Sequence, residues 1–307
     1  MSGTQGTAPA AHTAGSAETA RPFVVVGVDG SETNESALRW AAAEAALTGA
    51  SLRLVYVISR SVQESPVPAG MIDEFVNRLM TRAQAIVEDH HEGLDVQTEY
   101  LTGSPRSKLI DAGRDASLLV VGRRGHGTFG ELLLGSVAVS VAARSIVPTV
   151  VIPHMWQRDL HQGHPIVVGI DGEGGSDEAI GFAFEFARTH SAPLHAVHVA
   201  PAGDEYIWNE FAREKTAEQW RSETVGLVEA AIEAKRQEYP QVDVAVSPQW
   251  GHPVRVLVDE SAAAQALVIG GERHGRIRGG VLGSVSHGAL HHALCPVVTV
   301  HGPGDQG

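Results

Sequence analysis

Val26-Gly-Val-Asp-Gly30 recurs as Val168-Gly-Ile-Asp-Gly172, 142 residues further along the chain. The same offset relates Leu52-Arg-Leu-Val-Tyr-Val57 to Leu194-His-Ala-Val-His-Val199. The offset then becomes 148: Gly103-Ser-Pro105 answers to Gly251-His-Pro253, Gly122 to Gly270, Leu134-Gly-Ser-Val137 to Leu282-Gly-Ser-Val285, and Pro148 to Pro296. Six anchors in one order, with a single change of offset, mark a duplicated unit of about 140 residues. The second copy has six extra residues between Val199 and Gly251, read as part of its long helix.

Within a copy, two kinds of periodicity alternate. Phe23–Val28 is short and almost wholly apolar, as a strand buried on both faces must be. Ser31-Glu-Thr-Asn34 then supplies helix-capping side chains, and Ala37–Leu47 is a run of helix formers closed by Gly49. Strands are expected at Leu52–Ile58, Val96–Leu101, Leu118–Val121 and Thr149–Ile152, and helices at Met71–His91, Arg106–Arg114 and Leu133–Arg144. Alternating strands and helices imply a parallel sheet with right-handed crossovers, whose ligands sit beyond the carboxyl ends of the strands where strand order reverses. The apolar last strands, Thr149–Ile152 and Val297–Val300, would be exposed edges, so the two copies are expected to pack there.

The chain of 307 residues carries 43% hydrophobic and 19% charged residues, which excludes a wholly disordered chain. Its formal charge of −13 opposes a nucleic-acid partner, and no apolar run reaches the ~18 residues of a membrane helix. The lone Cys295 rules out an internal disulfide; it precedes an apolar strand and reads as a buried small side chain. A soluble, cytoplasmic protein is expected. Residues 1–22 read as a disordered tail, 23–153 as the first domain, 154–164 as a linker, 165–301 as the second domain and 302–307 as a polar tail.

The chemistry concentrates after the fourth strand, in Gly122-Arg-Arg-Gly-His-Gly-Thr-Phe-Gly-Glu-Leu-Leu-Leu-Gly-Ser136. Its glycines let the backbone approach an anion, and Gly135-Ser136 places a hydroxyl at a helix start, where unpaired N–H groups favour phosphate. Arg123 and Arg124 add local positive charge. Gly125-His-Gly-Thr-Phe-Gly130 fits the G-x-G-x-x-G dinucleotide pattern literally, but it follows the fourth strand rather than the first. No G-x-x-x-x-G-K-[ST] loop occurs. Asp29, at the end of the first strand, is a ligand-binding carboxylate or a cap for the helix starting near Thr33.

The spacing Gly122-x2-Gly125-x9-Gly135-Ser136, together with Val-Asp29 and the strands Val147-Pro148-Thr-Val and Cys295-Pro296-Val-Val, closely resembles the ATP-binding universal stress proteins in their tandem-domain form. The resemblance spans about 280 residues. It implies two Rossmann-like α/β domains of the adenine nucleotide alpha hydrolase-like kind, each with a five-stranded parallel sheet of order 3-2-1-4-5 and helices on both faces. It further implies ATP at the switch point, held in the first domain by Gly27, Asp29, Val57, Gly122, Arg123, Arg124, Gly125, His126, Gly127, Thr128, Gly135, Ser136 and Val137. The counterparts in the second domain are Gly169, Asp171, Val199, Gly270, Arg273, His274, Gly275, Gly283, Ser284 and Val285. There Arg273 replaces Gly125, and it either blocks the phosphates or binds them through its guanidinium. Mg2+ on the phosphates is compatible, although no cluster of protein ligands stands out for it.

With no general base, nucleophile or phosphoryl-transfer lysine in view, the expected function is a nucleotide-dependent stress sensor or regulator rather than an enzyme of high turnover. The alternatives are a slow ATPase or autokinase, and an interaction module that binds no nucleotide. The S-G-G-x-D-S loop of PP-type ATPases is absent; Asp29-Gly-Ser-Glu-Thr33 stands in its place. The expected partners are an adenine nucleotide and the other half of the chain, in an intramolecular pseudo-dimer, with a homodimer as a further form; the protein partner is unidentified. His287 and His291, four apart, read as an exposed helix face rather than a metal pair, and Trp208 and Trp220 as packing residues.

Overall fold

In the computed structural model the described residues are 21–123, 134–172, 176–201, 217–271 and 282–302. The first half runs β1 (Phe23–Val28), α1 (Glu35–Thr48), β2 (Ser51–Ile58), α2 (Arg60–Gln63), α3 (Ala69–Glu88), β3 (Val96–Thr102), α4 (Pro105–Ala112), β4 (Leu118–Gly122), α5 (Ser136–Arg144) and β5 (Thr149–Ile152). The second runs β6 (Ile166–Ile170), α6 (Asp177–His190), β7 (Leu194–Pro201), α7 (Ala217–Glu238), β8 (Val244–Gly251), α8 (Pro253–Glu260), β9 (Ala266–Gly270), α9 (Ser284–His292) and β10 (Val297–Val300).

Each half has its strands in the order 3-2-1-4-5, all parallel. The halves do not form two separate sheets. β5 and β10 pair antiparallel, Val150 opposite Val298, and so join ten strands into one sheet. The pairing satisfies the backbone groups that each last strand would otherwise leave open.

The apolar runs are buried on both faces because helices cover both. Val24, Val26 and Val28 point to the side of α1 and α3, where Ile166, Val168, α6 and α7 continue the same core. Val25, Val55 and Leu119 point to the opposite side, toward α4 and α5, with Val167, α8 and α9 beyond. Each core therefore runs across the seam. On the first face Trp40 of α1 stacks on Phe186 of α6 with ring centroids 6.3 Å apart. Gly49, at φ +67, ends α1 in the left-handed conformation that glycine adopts without strain.

Several expectations shift. Arg21 and Pro22, counted in the tail, are held: Arg21 Nε donates to the Gly49 carbonyl, and the Pro22 carbonyl accepts from Ser51 N–H. The linker is packed, with Trp156 only 8% exposed in the first core and a 3-10 turn at Arg158–Leu160. Helix α7, at 22 residues, is only two longer than the 20-residue α3, so most of the extra length of the second copy precedes it, outside the described residues. Trp220 packs against Trp250 with centroids 3.8 Å apart, and Trp208 lies outside the described residues.

Cys295 is fully buried, and that burial pushes its thiol up to about 11. Only the thiolate is an effective nucleophile, so the folded protein should show no reaction with an aromatic disulfide reagent at pH 8 and one equivalent after denaturation. Rapid stoichiometric reaction of the native protein would show that the β10 strand opens to solvent.

Candidate functional site

The carboxyl edge of each half carries the residues singled out from the sequence. β1 is last paired at Val28 with Tyr56, whereas β2 runs on beside β3 to Ile58. Val57 therefore lies past the end of β1, with its side chain buried, on the carboxyl edge where strand order reverses between β1 and β4. The second half repeats this: β6 is last paired at Ile170 with His198, and Val199 lies beyond it.

The turn after β1 is built around Asp29. Its Oδ1 accepts from Ser31 N–H at 2.8 Å and from Ser31 Oγ at 2.7 Å, and Gly30 takes φ +79. Asp29 thus closes a local turn; the 3-10 start at Glu32–Asn34 is preceded by Ser31, not by Asp29. Asn34, read from the sequence only as a cap, spans the turn instead. It is buried, donates from Nδ2 to the Gly27 carbonyl at 3.0 Å and accepts Asp29 N–H at Oδ1. Ser176 does the equivalent work in the second half, accepting Asp171 N–H and donating to Asp171 Oδ1 at 3.2 Å. A residue five positions after the aspartate, small and polar, was the available signal.

The neighbour of each aspartate differs. Tyr56, paired with Val28 next to Asp29, has its phenol pushed up first by burial and then by the Asp29 carboxylate. His198 stands at the matching place in the second half; its Nδ1–H donates to the Ile170 carbonyl at 2.8 Å, and its ring lies 2.9 Å from where a Cβ on Gly172 would be. Gly27 and Gly169 have a packing duty: a Cβ at either would meet the Leu109 or Leu257 side chain at 3.2 Å, so they let α4 and α8 approach the sheet.

Beyond β4, the Arg123 carbonyl accepts Gly135 N–H at 2.8 Å, so the two ends of the glycine-rich stretch meet. Gly135 then precedes α5 in extended conformation, with no side-chain cap on the helix, and Ser136 is exposed on its first turn with Val137 after it. Gly283, Ser284 and Val285 open α9 in the same way. Gly122 and Gly270 end β4 and β9. Arg123, expected to face phosphate, has another partner: its guanidinium donates to the Ala293 carbonyl of the other half at 2.6 Å. Arg124, Gly125, His126, Gly127 and Thr128, and likewise Arg273, His274 and Gly275, lie outside the described residues. His287 is exposed, whereas His291, expected to share that exposure, is half-buried, and the two rings stand 4.8 Å apart.

The sequence profile of the universal stress protein family matches residues 23–153 and again 163–301. A universal stress protein of Mycolicibacterium smegmatis is 33% identical over 294 residues, covering 90% of this chain and 96% of that one. One of Mycobacterium tuberculosis is 32% identical over 288 residues, covering 90% and 95%. The crystal structure of a universal stress protein from Archaeoglobus fulgidus shares the fold, with a TM-score of 0.68 at 20% identity over 91% of this chain and 98% of that one. The chain belongs to the universal stress protein family, with two family domains in tandem.

Proposed function

We propose that the protein binds adenine nucleotide, ATP in the first instance, at the carboxyl edge of each half and acts as a nucleotide-dependent regulator in a stress response. One observation carries the reading: the Asp29 turn, the overhang of β2 at Val57 and the uncapped start of α5 at Gly135-Ser136 all lie beyond the ends of β1 and β4. A carboxylate suits ribose hydroxyls, and a strand edge beyond its last partner suits an adenine edge. An uncapped helix start offers N–H groups to phosphate. With Arg123 Nη1 engaged by the Ala293 carbonyl, this reading relies on backbone N–H groups and the Ser136 hydroxyl as anion donors. No group of three or more His, Cys, Asp or Glu side chains forms a metal site among the described residues, so the cation in this reading is the Mg2+ that the phosphates carry.

The two sites are unequal in this reading, the amino-terminal one tighter by about tenfold, which corresponds to ~1.4 kcal/mol. Calorimetric titration of the full chain with ATP tests it, with mass spectrometry of ligand released from the purified protein. Asp29→Ala and Gly122→Val should each weaken the tighter site at least tenfold with circular dichroism unchanged. Equal affinity in the wild type and both variants would remove the nucleotide site from this edge and leave an interaction module as the better reading.

A further inference from the structure

Helices α5 and α9 each begin at one candidate site and are held near the other end by a side chain of the opposite half. α9 begins at Ser284, on the phosphate side of the second half, and ends about 13 Å on at the Ala293 carbonyl. Arg123 donates to that carbonyl from the first half, across 170 residues of sequence. The same residue is pinned at the base of the first site by its own backbone, its N–H donating to the Ile152 carbonyl and its carbonyl accepting Gly135 N–H, both at 2.8 Å. A helix carboxyl end carries partial negative charge, so a guanidinium there is held by more than one neutral hydrogen bond would provide.

The reverse connection uses other residues. α5 begins at Ser136 on the first site, and its Ala142 carbonyl accepts His301 Nε2–H at 2.7 Å and Thr299 Oγ1–H at 3.1 Å. Gly271 stands where Arg123 does in the first half, and the His301 ring fills the space a side chain there would need, 2.0–2.7 Å from the Cβ position. Gly271 N–H donates to the Val300 carbonyl, next to His301 and beside the second site. Each site is thus connected by a rigid helix to the base of the other.

Resting on the nucleotide reading above, we propose that Arg123 and His301 are positioning residues that couple the two sites through α9 and α5, so that an occupant of one alters the affinity of the other. Because the two clamps differ in chemistry, removing either should act on the site at the far end of its helix.

The test uses the full chain with ATP as the probe. The second site is titrated in the wild type, where the tighter first site fills before it, and in Asp29→Ala, where that site is weakened, each with and without Arg123→Gln. The expected result is a change of at least threefold in the affinity of the second site, which Arg123 does not adjoin, with Arg123→Lys restoring most of it. His301→Phe, which fills the same space without a donor, should shift the first site in the Asp171→Ala background. Hydrogen exchange without nucleotide provides a second readout, with amides 287–289, the first hydrogen-bonded ones of α9, expected to exchange at least threefold faster in Arg123→Gln. An unchanged second site overturns the coupling, whatever exchange shows. If the wild type binds no ATP, the nucleotide reading fails by itself, and unchanged exchange at 287–289 then overturns the mechanical link as well.

Discussion

Val298→Asp is expected to abolish the folded state. Val298 and the residue opposite it, Val150, are both 0% exposed, and they sit in the middle of the antiparallel pair that joins the halves. A carboxylate there meets Val150, the neighbouring strands and the helices of the first core, with no cation in the apolar cluster around it. Burying an unpaired ion costs several kcal/mol even after relaxation, and the lost valine burial adds roughly 2 kcal/mol. Their sum is comparable to the 5–15 kcal/mol that holds an ordinary domain folded. Val298→Ala is the control: it removes only methyl groups, costs about 2 kcal/mol, and should lower the melting temperature by several degrees with native circular dichroism retained. A soluble Val298→Asp protein melting where the wild type does would show that the halves do not depend on the seam.

The seam was legible because its cause is local. Thr149–Ile152 and Val297–Val300 are each apolar but for one threonine and buried at every position, and a last strand of that kind has to find a partner. The same holds for β1, whose Val24-Val25-Val26 alternates between two buried faces. The repeat exposed the duplication, and glycine spacing exposed the edge that carries the candidate site. Features that depend on distant partners were not legible. Arg123 sits beside a glycine-rich stretch, where a positive charge suggests phosphate; its partner is a carbonyl 170 residues away that no local pattern indicates. Helix α2 spans four residues, too few for a helical period to register. The capping residues after β1 were visible as residue types, but Asn34 turns inward to the strand rather than toward the helix start because its burial is set by the fold around it.

Glu44 is the sharpest case, since it lies in the run Trp40-Ala-Ala-Ala-Glu-Ala-Ala46 and looks like one solvent-facing residue on an alanine helix. It is 4% exposed. Its Oε2 stands 3.0 Å from His190 Nε2 on α6 and 3.6 Å from the Arg158 guanidinium in the packed linker, and Arg158 in turn approaches His190 Nδ1 at 3.1 Å. An arginine can only donate, so the Arg158–His190 contact has Nδ1 as acceptor, while Glu44 Oε2, His190 Nε2 and Arg158 Nη1 approach one another without hydrogen-bond geometry. Three segments, one from each half and one between them, thus meet around a single carboxylate. Glu44→Ala would leave the cationic Arg158 and the His190 ring facing an apolar gap beside Phe186, whose ring centroid is 4.0 Å from that of His190. Breaking a buried pair by removing one partner costs about 3–5 kcal/mol; because the Arg158 side chain is 25% exposed, a value near 3 kcal/mol is expected. Removing both charges is different. Glu44→Leu with Arg158→Leu should recover much of the loss, since well-packed apolar replacements of buried ion pairs are often neutral. Chemical denaturation of Glu44→Leu, Arg158→Leu and the double variant gives the coupling directly. A strictly additive cycle, or a Glu44→Ala protein as stable as the wild type, would mean that the carboxylate is hydrated in solution and that the linker is held by Trp156 packing alone.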